Sequence, residues 1–497
     1  MLLKPTPKQI KKILYYLGRI IIIFGFLSLL PLLVSVIFRE TEPAFDFIIG
    51  SGVCFIFGFI LVRVFKTDEE LNWIEGMLLV SLSWIVAMFL ASIPLFLSRH
   101  YHSYLDACFE AMSGLATTGL TLIIDLEHLS FAHNFWRHLL MFIGGQGIVI
   151  VALSFLVRGS SGAFKMYVGE ARGEKILPNV ISTSRFIWTV SFVYLCLGTI
   201  ILGIVGIAEG LKPLRSFFHS LCIFMAGFDT GGFSLHSQNI IYYHSILIEI
   251  ITISFMILGA INFKLHYSLW TGNFKEIFKN IETKTFFFTV LISFFIVIFG
   301  LAQRCFYPNL VIYFRRGFYQ LISAHTGTGF TTLYSMKGWP ILSILGLIVA
   351  MGLGGGSCST TGGIKVFRIG IIFKGLFQDI KRILLPESAV FSEKFHHTQK
   401  LILEDTQIRV CLQITLFYII LYFIGAVVGV AFGYPFLESL FESTSASANV
   451  GLSCGITQPQ MPALLKIIYI IQMCVGRLEF ISIFSILGLL WAILKGR

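Results

Sequence analysis

The sequence predicts an all-α integral membrane protein, and three observations carry that expectation. The 497-residue chain is 56% hydrophobic, with a mean hydropathy of +0.84. Charged residues make up 13% of it, about half of the roughly 25% usual in soluble globular domains. The apolar residues come in long runs suited to helices, not in the roughly ten-residue alternating segments of a transmembrane barrel. A soluble enzyme, a disordered chain and a disulfide-rich secreted module are thereby excluded.

A spanning helix takes about 20 mostly apolar residues. The first run, 13–38, follows four lysines. It is too long for a signal-peptide core and no small-residue cleavage site follows it, so it reads as a retained span. Further spans are expected at 45–65, 71–97, 136–157, 186–208, 240–263, 285–303, 340–357, 408–432 and 463–494, ten in all. Four apolar stretches between them are too short to cross, at 104–117, 214–228, 316–327 and 436–448. Each ends in a cluster of Gly, Thr, Ser or Asn. Irregular backbone at membrane depth is tolerated only where it is buried in protein or lines a polar cavity.

Charge gives the orientation. With the N-terminus inside and the short stretches re-entrant from outside, inner segments 1–12, 63–66, 158–185, 264–284, 365–409 and 495–497 hold 25 Lys and Arg. Outer segments hold 10, counting Arg137 and Lys466 among them. That is the positive-inside sense, and a full crossing at each short stretch would scramble it. The excess of 37 Lys+Arg over 26 Asp+Glu therefore lies beside the membrane and does not indicate nucleic acid. The nine cysteines are scattered singly and read as small buried hydrophobes, with no disulfide framework and no zinc site.

The four short stretches are related. They read CFEAMSGLATTGLT (108–121), LCIFMAGFDTGGFS (221–234), FYQLISAHTGTGFTT (318–332) and LFESTSASANVGLS (440–453). Aligned on a glycine they give Thr118-Gly119-Leu120, Thr230-Gly231-Gly232, Thr328-Gly329-Phe330 and Val450-Gly451-Leu452, preceded by Thr117, Asp229, Gly327 and Asn449. Nine residues before the glycine stand Glu110, Cys222, Gln320 and Glu442. The glycines are 112, 98 and 122 residues apart, too far for a solenoid period of about 20–50. They suit four tandem span–pore-helix–span repeats around one pore (71–185, 186–284, 285–407 and 408–497), preceded by two extra transmembrane helices in 1–70.

Small residues also pack transmembrane helices closely, but packing gives no reason for one glycine to recur in a polar loop after the same short helix. Glycine permits dihedrals that turn successive carbonyls toward one axis. Four such loops make a ring of oxygens able to replace the hydration shell of a potassium ion. The C-terminal dipole of each short helix favours a cation in the cavity below.

These loops resemble those of the TrkH/KtrB/HKT superfamily of potassium transporters. The resemblance runs over nearly the whole chain and includes GGQGIVI (144–150), GLGGGSCSTTGGIKVFR (352–368) and VGRLEF (475–480). The two additional leading spans look like the TrkH branch. The resemblance implies potassium uptake across a bacterial inner membrane, with both termini cytoplasmic and no enzymatic activity. Potassium is then the transported ion, with no organic cofactor. The implied filter comprises Thr117, Thr118, Gly119, Leu120, Asp229, Thr230, Gly231, Gly232, Gly327, Thr328, Gly329, Phe330, Asn449, Val450, Gly451 and Leu452. The implied gate comprises Gly354, Gly355, Gly356, Ser357, Gly362 and Gly363 with Arg477. The implied partners are a second copy of the chain and a cytosolic TrkA-like nucleotide-binding ring. The inner Lys and Arg offer that ring a docking surface, and anionic membrane lipids account for the same charges.

Several residues keep two readings. The segment Gly352–Gly363 lacks the GK[ST] of a phosphate loop and is either a packing break or a gate. Arg477, costly at a helix centre, is either half of an ion pair with Glu479 or Glu442 or a barrier in the ion path. Glu249 is similarly costly and has no obvious mate. Asp229 either concentrates cations or is tied to a backbone N–H. His325 reads as a hydrogen-bonded structural residue, and Asp106, Glu110, Glu438 and Glu442 as anchors behind the filter. Loops that are not four copies of TVGYG leave a less selective sodium/potassium carrier as the alternative. A membrane lipid-processing enzyme would need a cluster of acids, which loops 158–185 and 365–409 lack.

Overall fold

The computed structural model describes residues 6–147, 176, 180–386 and 391–495. Thr6 and Gln9 form a capping box that starts helix α1 (Pro7–Leu27), with Pro7 in its first turn where no N–H is needed. The chain continues as α2 (Leu30–Phe38) and α3 (Thr41–Val64). A second capping box, Asn72 with Glu75, opens α4 (Trp73–Leu97).

Beyond α4 the pattern of long helix, half-length helix, irregular loop and returning helix recurs. The half-length helices are α5 (Tyr104–Leu115), α8 (Pro213–Phe228), α13 (Tyr319–His325, entered through a π-helical turn Tyr313–Phe318) and α17 (Phe436–Ser447). The returning helices are α6 (Phe131–Gln146), α9 (Ile246–Ala260) with α10 (Phe263–Trp270), α14 (Ile341–Gly352) and α18 (Ala463–Leu478). The long helices before them include α7 (Val180–Ala208), α12 (Ile281–Gln303, preceded by the short α11, Lys275–Lys279) and α16 (Asp405–Ala431). Helix α15 (Val366–Leu384) and an antiparallel hairpin, β1 (Lys394–His397) paired with β2 (Gln399–Ile402), lie between α14 and α16. Helix α19 (Ile481–Leu494) closes the fold.

Among the described residues six single helices are long and apolar enough to cross a membrane, or up to eight spans if each of two bent helix pairs counts as one, against the ten expected. The six are Pro7–Phe38, Thr41–Val64, Trp73–Leu97, Ile181–Ala208, Ile281–Gln303 and Asp405–Ala431. Three other expected spans are interrupted. The run 240–263 holds α9, which turns by 104° into α10 at Ile261 and Asn262. The run 340–357 stops as a helix at Gly352, where the glycine-rich segment begins. The run 463–494 breaks at Glu479 and Phe480, whose φ values of 52° and 71° end α18 and bend the chain by 119°. In each, apolar length was sufficient, but the backbone leaves the helical region, at Ile261 and Asn262, at Leu353, and at Glu479 and Phe480. The fourth, 136–157, begins early as α6, and its part beyond Gly147 lies outside the described residues, as do 148–150 of the GGQGIVI motif and most of segment 158–185.

The half-length helices are buried at the centre, whereas α3, α7, α12 and α16 expose apolar side chains such as Phe59, Ile200, Phe295 and Leu416 outward. Buried Ser, Thr and Asn thus sit within a largely apolar interior, while further apolar side chains face outward, as a lipid environment allows.

Candidate functional site

The loops that follow the four half-length helices meet edge to edge. A β-carbon built on Gly119 would land against the carbonyl oxygen of Gly231, and one on Gly232 against that of Thr328. Likewise Gly329 meets the carbonyl of Val450, and Gly451 that of Thr118. These contacts close on themselves, so the loops form a ring. Their glycines have φ values of 89°, 71°, 87° and 92°, a region that side-chain-bearing residues rarely adopt.

The ring corrects the alignment of the second loop. Its glycine is Gly232, not Gly231, and its second left-handed residue is Thr230 (φ 50°), level with Thr117 (50°), Gly327 (69°) and Asn449 (56°). Asp229 then falls on the helix cap, level with Ala116, Thr326 and Ala448. It is buried, and the side-chain amide of Gln146 donates to its carboxylate at 2.7 Å. The position nine before the glycine is Ile223 instead of Cys222.

On one side the ring opens into a cavity of about 290 Å³ lined by Gly119, Leu120, Gly232, Gly329, Gly451 and Leu452. The remaining expected ring residues, including Thr117, Thr118, Thr230, Thr328, Phe330 and Val450, are fully buried. The amide of Asn449 ties two loops by donating to the Thr118 hydroxyl at 3.0 Å.

Behind the ring, three loops share one anchor. Thr121 donates to Glu110 at 2.9 Å, Thr331 to Gln320 at 3.0 Å and Ser453 to Glu442 at 2.5 Å. Glu110 also accepts the Leu122 N–H, and Glu442 those of Cys454, Gly455 and Ile456. Each anchor stands nine residues before its ring glycine and eleven before the hydroxyl it binds, so it reaches from the half-length helix to the irregular segment just past the ring. Other acids have partners the sequence did not suggest. Arg315 grips Glu249 with Nε and Nη2, both at 2.7 Å, and Lys466 meets Asp106 at 2.6 Å. Arg137 is fully buried against Glu110. Arg137 and Lys466 are thus internal ion-pair partners, not outer-loop charges. His325 Nε2 lies 2.8 Å from the Thr289 hydroxyl, the hydrogen-bonded role expected for it.

The segment Gly352–Gly363 packs against the second and fourth loops. Leu353 and Ile364 bridge in parallel, which closes it into a compact loop. Ser357 donates from its N–H and hydroxyl to Glu282 at 2.9 and 2.6 Å. Gly356 donates to Ala260 and Thr360 to Gly259, at the break between α9 and α10. The Thr360 hydroxyl reaches the carbonyls of Phe228 and Gly259 at 2.9 Å and lies 3.3 Å from the Thr230 hydroxyl of the ring. A β-carbon on Gly362 would press on Ala448 and Asn449, so this glycine allows close approach to the fourth loop.

Arg477 occupies the same level. Nη2 donates to the carbonyls of Gly144 and Gly145 at 2.8 and 2.9 Å, and Nη1 to the Thr117 hydroxyl at 3.2 Å and to the Thr360 carbonyl. Neither carboxylate considered for it takes that place. Glu479 pairs with Arg368 and, at 3.8 Å, Lys365, and Glu442 faces the loop after the fourth glycine. A guanidinium here holds backbone oxygens of α6 and of the glycine-rich loop together with a side-chain hydroxyl of the ring. Thr360 and Glu282 escaped sequence reasoning because neither residue type is unusual in its segment.

The TrkH family, described as cation transport protein, matches residues 43–487. An uncharacterized cation transporter of Methanocaldococcus jannaschii is 34% identical over 98% of this chain and 97% of its own. The Trk system potassium uptake protein TrkH of Escherichia coli K12 is 30% identical over 76% of this chain and 77% of its own. The crystal structure of the potassium transporter TrkH from Vibrio parahaemolyticus superposes with a TM-score of 0.81, at 25% identity, over 96% of this chain and 98% of that one. Fold and matches together define a multi-pass membrane transport protein for cations and not an enzyme. The chain belongs to the TrkH family.

Proposed function

We propose that this protein takes up potassium across the inner membrane through the ring of four loops. The observation that carries the reading is the closed cycle of glycine–carbonyl contacts from Gly119 through Gly232, Gly329 and Gly451. Carbonyl oxygens of these loops substitute for the hydration shell of the ion, and the converging C-terminal ends of α5, α8, α13 and α17 favour a cation beneath them. The relatives named as potassium uptake proteins support the same ion. In this reading the chain comprises two leading helices and four repeats with the boundaries given above, both termini being cytoplasmic.

The loop Gly352–Gly363 and Arg477 form the gate. Thr360 and Arg477 meet Thr230 and Thr117 where an ion leaving the ring must pass. Two copies of the chain assemble, each with its own pore, and a TrkA-like nucleotide-binding ring docks on the basic inner segments. A second reading, sodium and potassium carried with little discrimination, is favoured by one observation. The residues before the ring glycines differ, being Thr118, Gly231, Thr328 and Val450. Rubidium uptake by cells lacking their own potassium uptake systems tests the main reading. Expression should restore uptake, and sodium in excess should compete weakly; strong competition supports the second reading, and no uptake removes both.

A further inference from the structure

Three ring loops carry their own anchor, and the second does not. Where Glu110, Gln320 and Glu442 bind the hydroxyl two residues past the ring glycine, the second loop has the apolar Ile223. Its corresponding residue, Ser234, is held instead from a neighbouring segment. Arg137 Nη1 donates to the Ser234 carbonyl at 3.2 Å, and His138 Nε2 lies 3.2 Å from the carbonyl of Phe233. The same guanidinium reaches Glu110 through Nε at 2.8 Å and Nη2 at 2.7 Å, and the Thr121 hydroxyl through Nη2 at 3.3 Å. It also stands 4.1 Å from the centre of the Phe233 ring, directly after the ring glycine Gly232. The side-chain oxygen of Asn134 accepts from Nη1 at 3.2 Å.

We infer that Arg137 is a specificity-determining positioning residue, which holds the first and second ring loops in mutual register in place of the anchor that Ile223 cannot supply. The inference rests on the ring being the selectivity filter. Several features point to register and not merely to burial of a charge. A planar fork with fixed donor directions spans two loops at once, which an ammonium cannot do. Its contact on the second loop is to the backbone carbonyl of Ser234, two residues past the ring glycine, so it fixes the segment from which the ring carbonyls of that loop are suspended. Arg137 and Glu110 are both completely buried, so solvent cannot replace a lost contact. The third and fourth loops, with Gln320 and Glu442, are independent of it.

The test uses the full-length protein in proteoliposomes, reading potassium and sodium influx per folded molecule. Removing Arg137 alone strands Glu110 and can prevent folding, so two other variants are used. Arg137→Lys keeps the charge and loses the fork; the double variant Glu110→Gln with Arg137→Met removes both charges. The potassium/sodium ratio should fall in both by roughly tenfold, the scale of one lost buried hydrogen bond. Gly329→Ala, remote from Arg137, serves as the control for the filter itself. A wild-type ratio in either Arg137 variant while Gly329→Ala lowers it overturns the positioning role and leaves the filter standing. A wild-type ratio in all three overturns the filter reading on which the inference depends. Poor yield with an unchanged ratio per folded molecule assigns Arg137 to folding alone and also overturns it.

Discussion

Arg477 donates to the hydroxyl of Thr117 across 3.2 Å, which brings a permanent charge from the fourth returning helix against the first ring loop. The same side chain holds the carbonyls of Gly144, Gly145 and Thr360. These partners come from three segments, α6, the glycine-rich loop and the first ring loop, which the proposed gate holds together when closed. Arg477→Ala should raise maximal potassium flux per folded molecule by about tenfold, since each charge-assisted hydrogen bond removed from the closed arrangement is worth about 1.5–3 kcal/mol. Uptake normalised to monodisperse protein checks this. Lower flux together with poor yield would assign Arg477 to structural support.

The second ring loop offers a sharper discrimination. Gly232→Ala places a β-carbon at φ 71° and against the Thr328 carbonyl, whereas the nearest atoms to one on Gly231 belong to the flexible Met141 side chain. Gly232→Ala should abolish the preference for potassium or transport itself. Gly231→Ala should retain most of both. Paired influx assays with the two ions decide; equal damage from the two variants would undo the register assigned here.

Much of the ring was legible in the sequence. A recurring glycine after a short apolar helix found three loops in the right register, and the nine-residue spacing found Glu110, Gln320 and Glu442. The second loop slipped because Gly231-Gly232 is a doublet, and composition carries no information on which member has positive φ. Ten spans were expected because apolar length alone does not register the turn at Asn262 or the two left-handed residues Glu479 and Phe480. The partners of Glu249 and Asp106 come from segments 66 and 360 residues away in sequence, a distance over which side-chain pairing has no local signature.

The glycine-rich loop is tied to its surroundings by side chains that can be removed singly. Thr360→Val deletes the hydroxyl that reaches Phe228, Gly259 and the Thr230 hydroxyl while keeping the shape. Basal flux should rise severalfold, with the potassium/sodium ratio unchanged, because lost hydrogen bonds of about 1 kcal/mol each weaken the proposed closure, and the one ring contact among them is to a side-chain hydroxyl instead of a ring carbonyl. Flux through proteoliposomes in both ions checks it; a changed ratio would place Thr360 in the filter instead.

The pair Glu249–Arg315 joins the second returning helix to the π-helical turn before α13. Arg315→Ala leaves a carboxylate that is almost completely buried without its guanidinium. The loss should be near the lower end of the roughly 3–5 kcal/mol for a broken buried pair, because the Arg315 side chain is 35% exposed. Thermal unfolding in detergent should show a lower midpoint. The potassium/sodium ratio of the folded fraction should be unchanged, since neither residue touches the ring.

In the proposed function, four loops closed through Gly119, Gly232, Gly329 and Gly451 select potassium. The most direct measurement is the potassium/sodium influx ratio of purified protein in proteoliposomes, for wild type and for Ala substituted singly at each of the four. The account predicts a strong potassium preference in wild type and a collapse of preference or of transport in all four variants. A wild-type ratio and rate in any one of them, at equal protein incorporation, would contradict it.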